Sequence, residues 1–216
     1  TPTSGSIGTI VTIAGDGYSA GVIINIDFGD ISVIAYTPGT TSTDGTFTLQ
    51  FPLDVPQPYG TTTVKAYRQD GEFAYTYFKV VGNIYQVTPP NGTVGKIVTI
   101  KGDGYERNEG IQVIFGKLGT ITYSTASSDG TFTTSFTVNT QPYGLTTIKA
   151  YGNNTKDEHS ATFTITSYIT QVTPTTGTVG RQVTVVGNGY GGTVNVRIAF
   201  GNTLTVTQVT TSSAGT

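Results

Sequence analysis

The chain has 216 residues, only 11% of them charged, with a formal net charge of -2, one His and no Cys, Met or Trp. So few basic residues, scattered along the whole length, exclude the clustered Lys and Arg of a nucleic-acid surface. The lack of Cys excludes a disulfide framework and a thiolate metal site.

No apolar run approaches the roughly 18 residues of a membrane-crossing helix, and the first residues lack the basic-then-apolar pattern of a signal peptide. Thr accounts for 44 positions, beside 29 Gly and 13 Tyr. Thr, Val, Ile, Tyr and Phe suit a pleated, half-buried surface, and little Ala, Leu, Glu or Lys remains to build helices. The composition therefore predicts an all-β chain with glycine supplying the turns.

In chain order, residues 1–82 make a first unit. Strands are expected over Ile7 to Ala14, Val22 to Phe28 and Ile31 to Tyr36, with a break at Gly15-Asp16-Gly17. Thr43-Asp44-Gly45-Thr46 is a hairpin-type turn, because Asp-Gly supplies the positive φ such turns demand. Phe47, Leu49 and Phe51 then share one face at period two. Pro56-Gln57-Pro58-Tyr59-Gly60 is a second break, Thr62, Val64 and Ala66 alternate with Thr63, Lys65 and Tyr67, and Phe73 to Val80 closes the unit.

Residues 83–167 repeat this element for element. Asp129-Gly130-Thr131-Phe132 matches Asp44-Gly45-Thr46-Phe47, and Gln141-Pro142-Tyr143-Gly144 matches Gln57-Pro58-Tyr59-Gly60. Each unit opens on one spaced motif: Pro2, Gly5, Gly8, Val11, Gly15, Gly17 and Tyr18; then Pro89, Gly92, Gly95, Val98, Gly102, Gly104 and Tyr105; then Pro174, Gly177, Gly180, Val183, Gly187, Gly189 and Tyr190. A Phe-Gly pair follows each tyrosine, at Phe28-Gly29, Phe115-Gly116 and Phe200-Gly201. The starts at Thr1, Thr88 and Thr173 set periods of 87 and 85 residues, the mark of a tandem array. About seven short strands in such a length is the density of an immunoglobulin-like sandwich.

Ile84-Tyr85-Gln86-Val87 before the second motif recurs as Ile169-Thr170-Gln171-Val172 before the third. These segments read as first strands of the units that follow, with no flexible spacer, so the domains are expected to stack stiffly. The first motif lacks such a segment. Residues 168–216 carry about half a sandwich, which leaves one apolar face uncovered; an excerpt of a longer array, or a neighbour completing the fold, is expected.

These motifs resemble the IPT/TIG family of immunoglobulin-like domains over the whole chain, as two full units and a truncated third. The resemblance implies spacer and interaction modules, and the Thr- and Gly-rich tandem array is most similar to large prokaryotic surface proteins, including surface-layer subunits and adhesins. It implies an extracellular location. The basic DNA-contacting loops of the family's transcription-factor members have no counterpart.

Candidate chemistry is sparse. Tyr59 and Tyr143 could stack on glycans, whereas Tyr18, Tyr105 and Tyr190 recur in every unit and are expected to pack at the sandwich end with the hydroxyl at the rim. Asp16, Asp27 and Asp30 are calcium candidates, with Asp103 in the turn equivalent to that of Asp16, but calcium wants six to eight oxygens and no dense acidic loop is present. Asn91-Gly92-Thr93 and Asn153-Asn154-Thr155 are N-glycosylation sequons. His159 reads as a solvated loop residue with no nucleophile to pair. No catalytic residue, cofactor site or firm metal site is expected. The reading is a non-enzymatic structural segment of a cell-surface assembly such as a surface layer, filament or stalk. Its partners would be its own copies, other surface subunits or glycans; the alternatives are an adhesin or carbohydrate-binding arm, or the spacer domains of a larger secreted enzyme.

Overall fold

A computed structural model describes residues 1–29, 39–117 and 119–216. The strand expected over Ile31 to Tyr36 lies outside them, as does Asp30. The described residues form nineteen strands and no helix.

Repeat 1 contains β1 (Ser4–Gly5), β2 (Ile10–Gly15), β3 (Ile23–Phe28), β4 (Gly39–Thr40), β5 (Phe47–Pro52), β6 (Gly60–Tyr67) and β7 (Phe73–Val80). They pair as a sheet in the order β1-β7-β6-β3-β4 facing a pair β2-β5. Repeat 2 contains β8 (Asn83–Thr88), β9 (Asn91–Gly92), β10 (Ile97–Asp103), β11 (Gly110–Phe115), β12 (Thr120–Thr125), β13 (Phe132–Thr137), β14 (Gly144–Gly152) and β15 (Glu158–Ile165). Its sheets run β12-β11-β14-β15-β9 and β13-β10-β8. Repeat 3 contains β16 (Tyr168–Thr173), β17 (Thr184–Asn188), β18 (Asn195–Phe200) and β19 (Thr203–Thr210), paired as β16-β17 and β18-β19. Two facing sheets of short, mainly antiparallel strands make the chain an array of immunoglobulin-like β-sandwich repeats.

Period-two alternation places the cores. On β6, Val64 and Ala66 point inward while Thr63 and Lys65 point away. Phe28 meets Phe51 and Phe78 edge-on at ring-centre distances of 5.9 and 5.5 Å. Phe115 meets Phe136 and Phe163 at 5.0 and 5.7 Å in the same places of repeat 2. Fully burying one such ring contributes about 1.5–3 kcal/mol, and edge-to-face contact adds to that. Val11, Phe28, Phe47 and Phe51 are buried with Val98, Ile100, Phe115, Phe132 and Phe136, but Ile13 is only partly covered, unlike its counterpart Ile100 at 0% exposure.

The Asp-Gly turns recur with one geometry. Gly45, Gly130 and Gly215 donate their amides to Ser42, Ser127 and Ser212 at 3.0, 3.1 and 3.0 Å. Ala214 replaces the aspartate in repeat 3, yet the turn closes the same way.

One anchor differs between repeats. Thr41 in repeat 1 accepts the Val22 amide at 3.0 Å and donates to the Ser19 carbonyl at 2.7 Å. Thr211 does the same with Val194 and Gly191 in repeat 3. Repeat 2 has Ala126 there and compensates with Glu109, only 1% exposed, whose carboxyl oxygens accept the amides of Glu106, Asn154 and Thr155 at 2.7, 3.1 and 3.2 Å.

His159 is not a loop residue. It lies on β15 with its ring 5.7 Å from that of Tyr105, packed edge-on.

In repeat 3, Phe200 and Leu204 are 74% and 90% exposed. Val172, Val185, Ile198, Phe200 and Val206 help line an open cleft of about 600 Å³ between the two strand pairs.

Candidate functional site: the joint between repeats

The joints are where this chain departs from a string of independent sandwiches. Only Val81 and Gly82 separate β7 from β8, and only Thr166 and Ser167 separate β15 from β16. Glycines of the spaced motif admit these connectors. Gly104 has φ +71°, and a Cβ there would stand 2.1 Å from the Val81 carbonyl oxygen. Gly189, at φ +72°, faces the Thr166 carbonyl in the same way, with 2.5 Å to a hypothetical Cβ.

The Gln-Pro-Tyr-Gly breaks of repeats 1 and 2 each dock on the repeat that follows. The Tyr59 amide donates to the Tyr105 carbonyl at 2.9 Å, and the Tyr143 amide donates to the Tyr190 carbonyl at 2.8 Å. Those carbonyls belong to the residue after Gly-x-Gly, whose own amide bonds the turn glycine: Tyr105 to Gly130 at 3.1 Å and Tyr190 to Gly215 at 3.0 Å. The Cα of Pro58 and of Pro142 would lie 2.6 and 3.0 Å from a Cβ on Gly130 and Gly215. Backbone thus meets backbone across both joints, at turns where a positive φ and the tyrosine carbonyl of the same repeat already require glycine.

The first joint adds buried side chains. The Ile7 amide of repeat 1 donates to an Asp103 carboxyl oxygen of repeat 2 at 2.8 Å. Asp103 is 1% exposed, and its other carboxyl oxygen has no hydrogen-bond partner among the described residues. Burial lifts its pKa to about 6, the Ile7 amide opposing the rise only partly. Tyr105 is 1% exposed, edge-on to Phe132 at 5.1 Å, and burial drives its phenol far above the ordinary range. Its hydroxyl is therefore buried, not at a rim; in repeat 1 the Tyr18 hydroxyl likewise turns inward, donating to the Ala66 carbonyl at 3.1 Å. Gly82 lies against the His159 ring, and burial lowers that imidazole's pKa. Asn188 takes the Asp103 position in the second joint.

The remaining candidates are the stacking tyrosines, the sequons and the calcium group Asp16, Asp27 and Asp30, the last of which lies outside the described residues. Tyr59 carries its joint bond through the backbone, and its ring lies 5.3 Å from the Lys79 ammonium. Tyr143 is 62% exposed. Asp16 is exposed in its turn, and Asp27 lies on β3 opposite Lys65 of β6. Among the described residues no three His, Asp or Glu side chains gather as a metal site. Asn91 and Asn153 are exposed, but the Thr155 hydroxyl of the second sequon is turned onto Glu109 at 3.3 Å.

One surface was missed. Phe73, Tyr75 and Tyr77 are 58%, 60% and 61% exposed along β7. Lys65 sits 4.9 Å from the Phe73 ring and 5.0 Å from that of Tyr67. The matching positions of repeat 2 are Glu158, Ser160 and Thr162, so repeat 2 lacks this aromatic stripe. Comparing the two units position by position would have found it.

The chain matches no family model and no curated sequence. Among solved structures it is similar to the BSP domain of a biofilm-associated protein, at 14% identity over 76% of this chain and 28% of that one, with a TM-score of 0.29. A tetra-tandem repeat from the extending region of a large adhesion protein gives 12% identity over 94% and 62%, with a TM-score of 0.31. The Bacteroides ovatus mixed-linkage glucan utilization locus protein SGBP-B, in complex with a mixed-linkage heptasaccharide, gives 14% identity over 79% and 45%, with a TM-score of 0.35. The chain spans less than two thirds of each of these proteins. The immunoglobulin-like assignment stands on the strand topology itself.

Proposed function

We propose that the chain is a non-enzymatic structural segment of an extracellular cell-surface assembly, built from IPT/TIG-type immunoglobulin-like repeats. The observation that carries this reading is the repetition of the joint. The same amide-to-carbonyl bond, the same proline-on-glycine contact and the same two-residue connector serve both junctions. Such joints hold successive sandwiches at a fixed orientation, which suits a stalk, filament or lattice subunit. Electron microscopy of the native surface material tests it. Filaments or a lattice with a repeat commensurate with the stacked domains support assembly; isolated particles that never associate reject it.

The exposed stripe of Phe73, Tyr75 and Tyr77 favours a second reading, an adhesin or carbohydrate-binding arm. A residue that holds the fold recurs from repeat to repeat, and these are absent from repeat 2. Replacing Tyr75 and Tyr77 by the Ser and Thr of repeat 2 should then abolish glycan-array binding without loss of folding; binding that persists, or is absent from the start, rejects this reading.

A further inference from the structure

We propose that Tyr75 and Tyr77 are an oxidative cross-linking site, where a carbon–carbon bond joins the two phenols into one dityrosine on the outward face of β7. The chain has no Cys, Met or Trp, so the thiols and thioethers that oxidants attack in other proteins are missing. One-electron oxidation therefore falls on its 13 tyrosines. A stable product then needs a second phenol within reach of the first.

Among the described residues, two tyrosine rings touch at one place only. Tyr75 and Tyr77 stand two residues apart on one strand, so both side chains leave the same face of the sheet. Their ring centres are 5.8 Å apart, with the planes at 74°. Both are open to solvent, at 60% and 61% exposure. Across the ladder Tyr75 faces Lys65 and Tyr77 faces Thr63, and neither side chain couples with a phenoxyl radical. The other tyrosines are placed differently. Tyr18 and Tyr105 are buried, and Tyr59 and Tyr67 each have a lysine ammonium over the ring. Tyr123 and Tyr143 are as exposed as the pair but lack a tyrosine neighbour among the described residues.

The oxidant is hydrogen peroxide, acting through a haem peroxidase in two one-electron steps. Each phenol gives up one electron and its hydroxyl proton. The two radicals couple through ring carbons next to the hydroxyls, and each of those carbons passes its hydrogen to the oxygen beside it, restoring two phenols. Peroxide is reduced to two water molecules while the protein loses two hydrogen atoms. The coupling carbons approach by rotation of the side chains, which rings this exposed are free to make. The link holds residues 75–77 extended and closes a covalent loop in a chain without disulfides, so it acts against the unfolded state.

The test treats the intact chain, at low protein concentration, with hydrogen peroxide and a haem peroxidase, followed by trypsin and mass spectrometry. Cleavage after Arg68 and Lys79 releases residues 69–79 with Tyr75 and Tyr77. Cleavage after Lys117 and Lys149 releases residues 118–149 with Tyr123 and Tyr143, a control carried by the same molecule. Loss of two hydrogen atoms, with dityrosine fluorescence, is expected in 69–79 at about tenfold or more the yield in 118–149, because contact raises the effective concentration of the second phenol. Equal yields in the two peptides, no link in either, or an undiminished yield from the urea-unfolded chain overturns the proposal. Covalent dimers in place of internally linked monomers also overturn it, naming a second copy of the chain as the partner. Tyr77→Phe keeps the ring and removes the phenol, and should abolish the link in 69–79; a two-hydrogen loss that persists there would place the oxidation elsewhere.

Discussion

The two joints share a backbone and differ in their side chains. Tyr59 and Tyr143 dock through the same bond onto Tyr105 and Tyr190, but the first joint buries Asp103 beneath Ile7 where the second carries Asn188. The same division holds inside the repeats, where Thr41 and Thr211 anchor a loop that Glu109 anchors in repeat 2. Geometry that recurs is carried by amides, carbonyls and glycines. Ionisable side chains are added singly, without altering the joint.

The largest effect expected is at the connector. Gly104→Val combines a positive φ with a backbone clash against Val81 and should destabilise repeat 2 by about 4 kcal/mol. Gly17→Val, at φ +77° but with nothing within 4 Å of the added Cβ, carries only the backbone strain and should lose about half as much. Urea denaturation of the two variants separates strain from joint clash; equal losses would break the comparison.

Next is Glu109→Ala, which removes the buried carboxyl that accepts the amides of Glu106, Asn154 and Thr155 and should cost about 2–3 kcal/mol by the same measurement. Thr41→Ala in repeat 1 removes one hydroxyl and should cost about 1 kcal/mol.

A smaller effect, of opposite sign, is expected at Asp103. Its raised pKa means that ionisation costs stability above about pH 6, and that the cost is relieved as pH falls from there towards the ordinary carboxylate value of 3.8. Asp103→Asn, which copies the second joint, should therefore stabilise by about 1 kcal/mol at pH 8 and by nothing near pH 4. His159 works in the other direction. Its lowered pKa favours the neutral ring, so stability falls as pH drops below the ordinary 6.5. Comparing variant with parent at each pH cancels that contribution. Smallest of all, Asp16→Asn, exposed in its turn, should shift stability by less than about 0.5 kcal/mol.

Much of the fold was legible because its signals are local. Asp-Gly turns, period-two alternation and the spaced glycines each act within a few residues, and they gave the strand pattern around Phe47 or Val64 directly. The joint was not legible, because its contacts join residues far apart in sequence. Ile7 and Asp103 are 96 positions apart, and nothing around Asp103 distinguishes it from the exposed Asp16. His159 was misplaced for a related reason: its polar neighbours look like a loop, but pairing of Glu158 with Tyr151 draws the segment into β15. The glycines of the motif were read as turn formers, which they are; their second role, leaving room for the preceding repeat, needs the neighbour in view.

The parallel pairing of β1 with β7 and of β9 with β15 has a mechanical meaning. β1 lies near the start of repeat 1 and β7 near its end, joined by bonds from the Lys79 amide to Thr3 and from the Val81 amide to Gly5. In repeat 2 the amides of Thr164 and Thr166 bond Pro90 and Gly92 likewise. Tension applied along the chain pulls these paired strands past each other, so both bonds of a pair bear the load together instead of opening one after the other. Repeats 1 and 2 are thus each clamped at the place where a pulling force enters and leaves them.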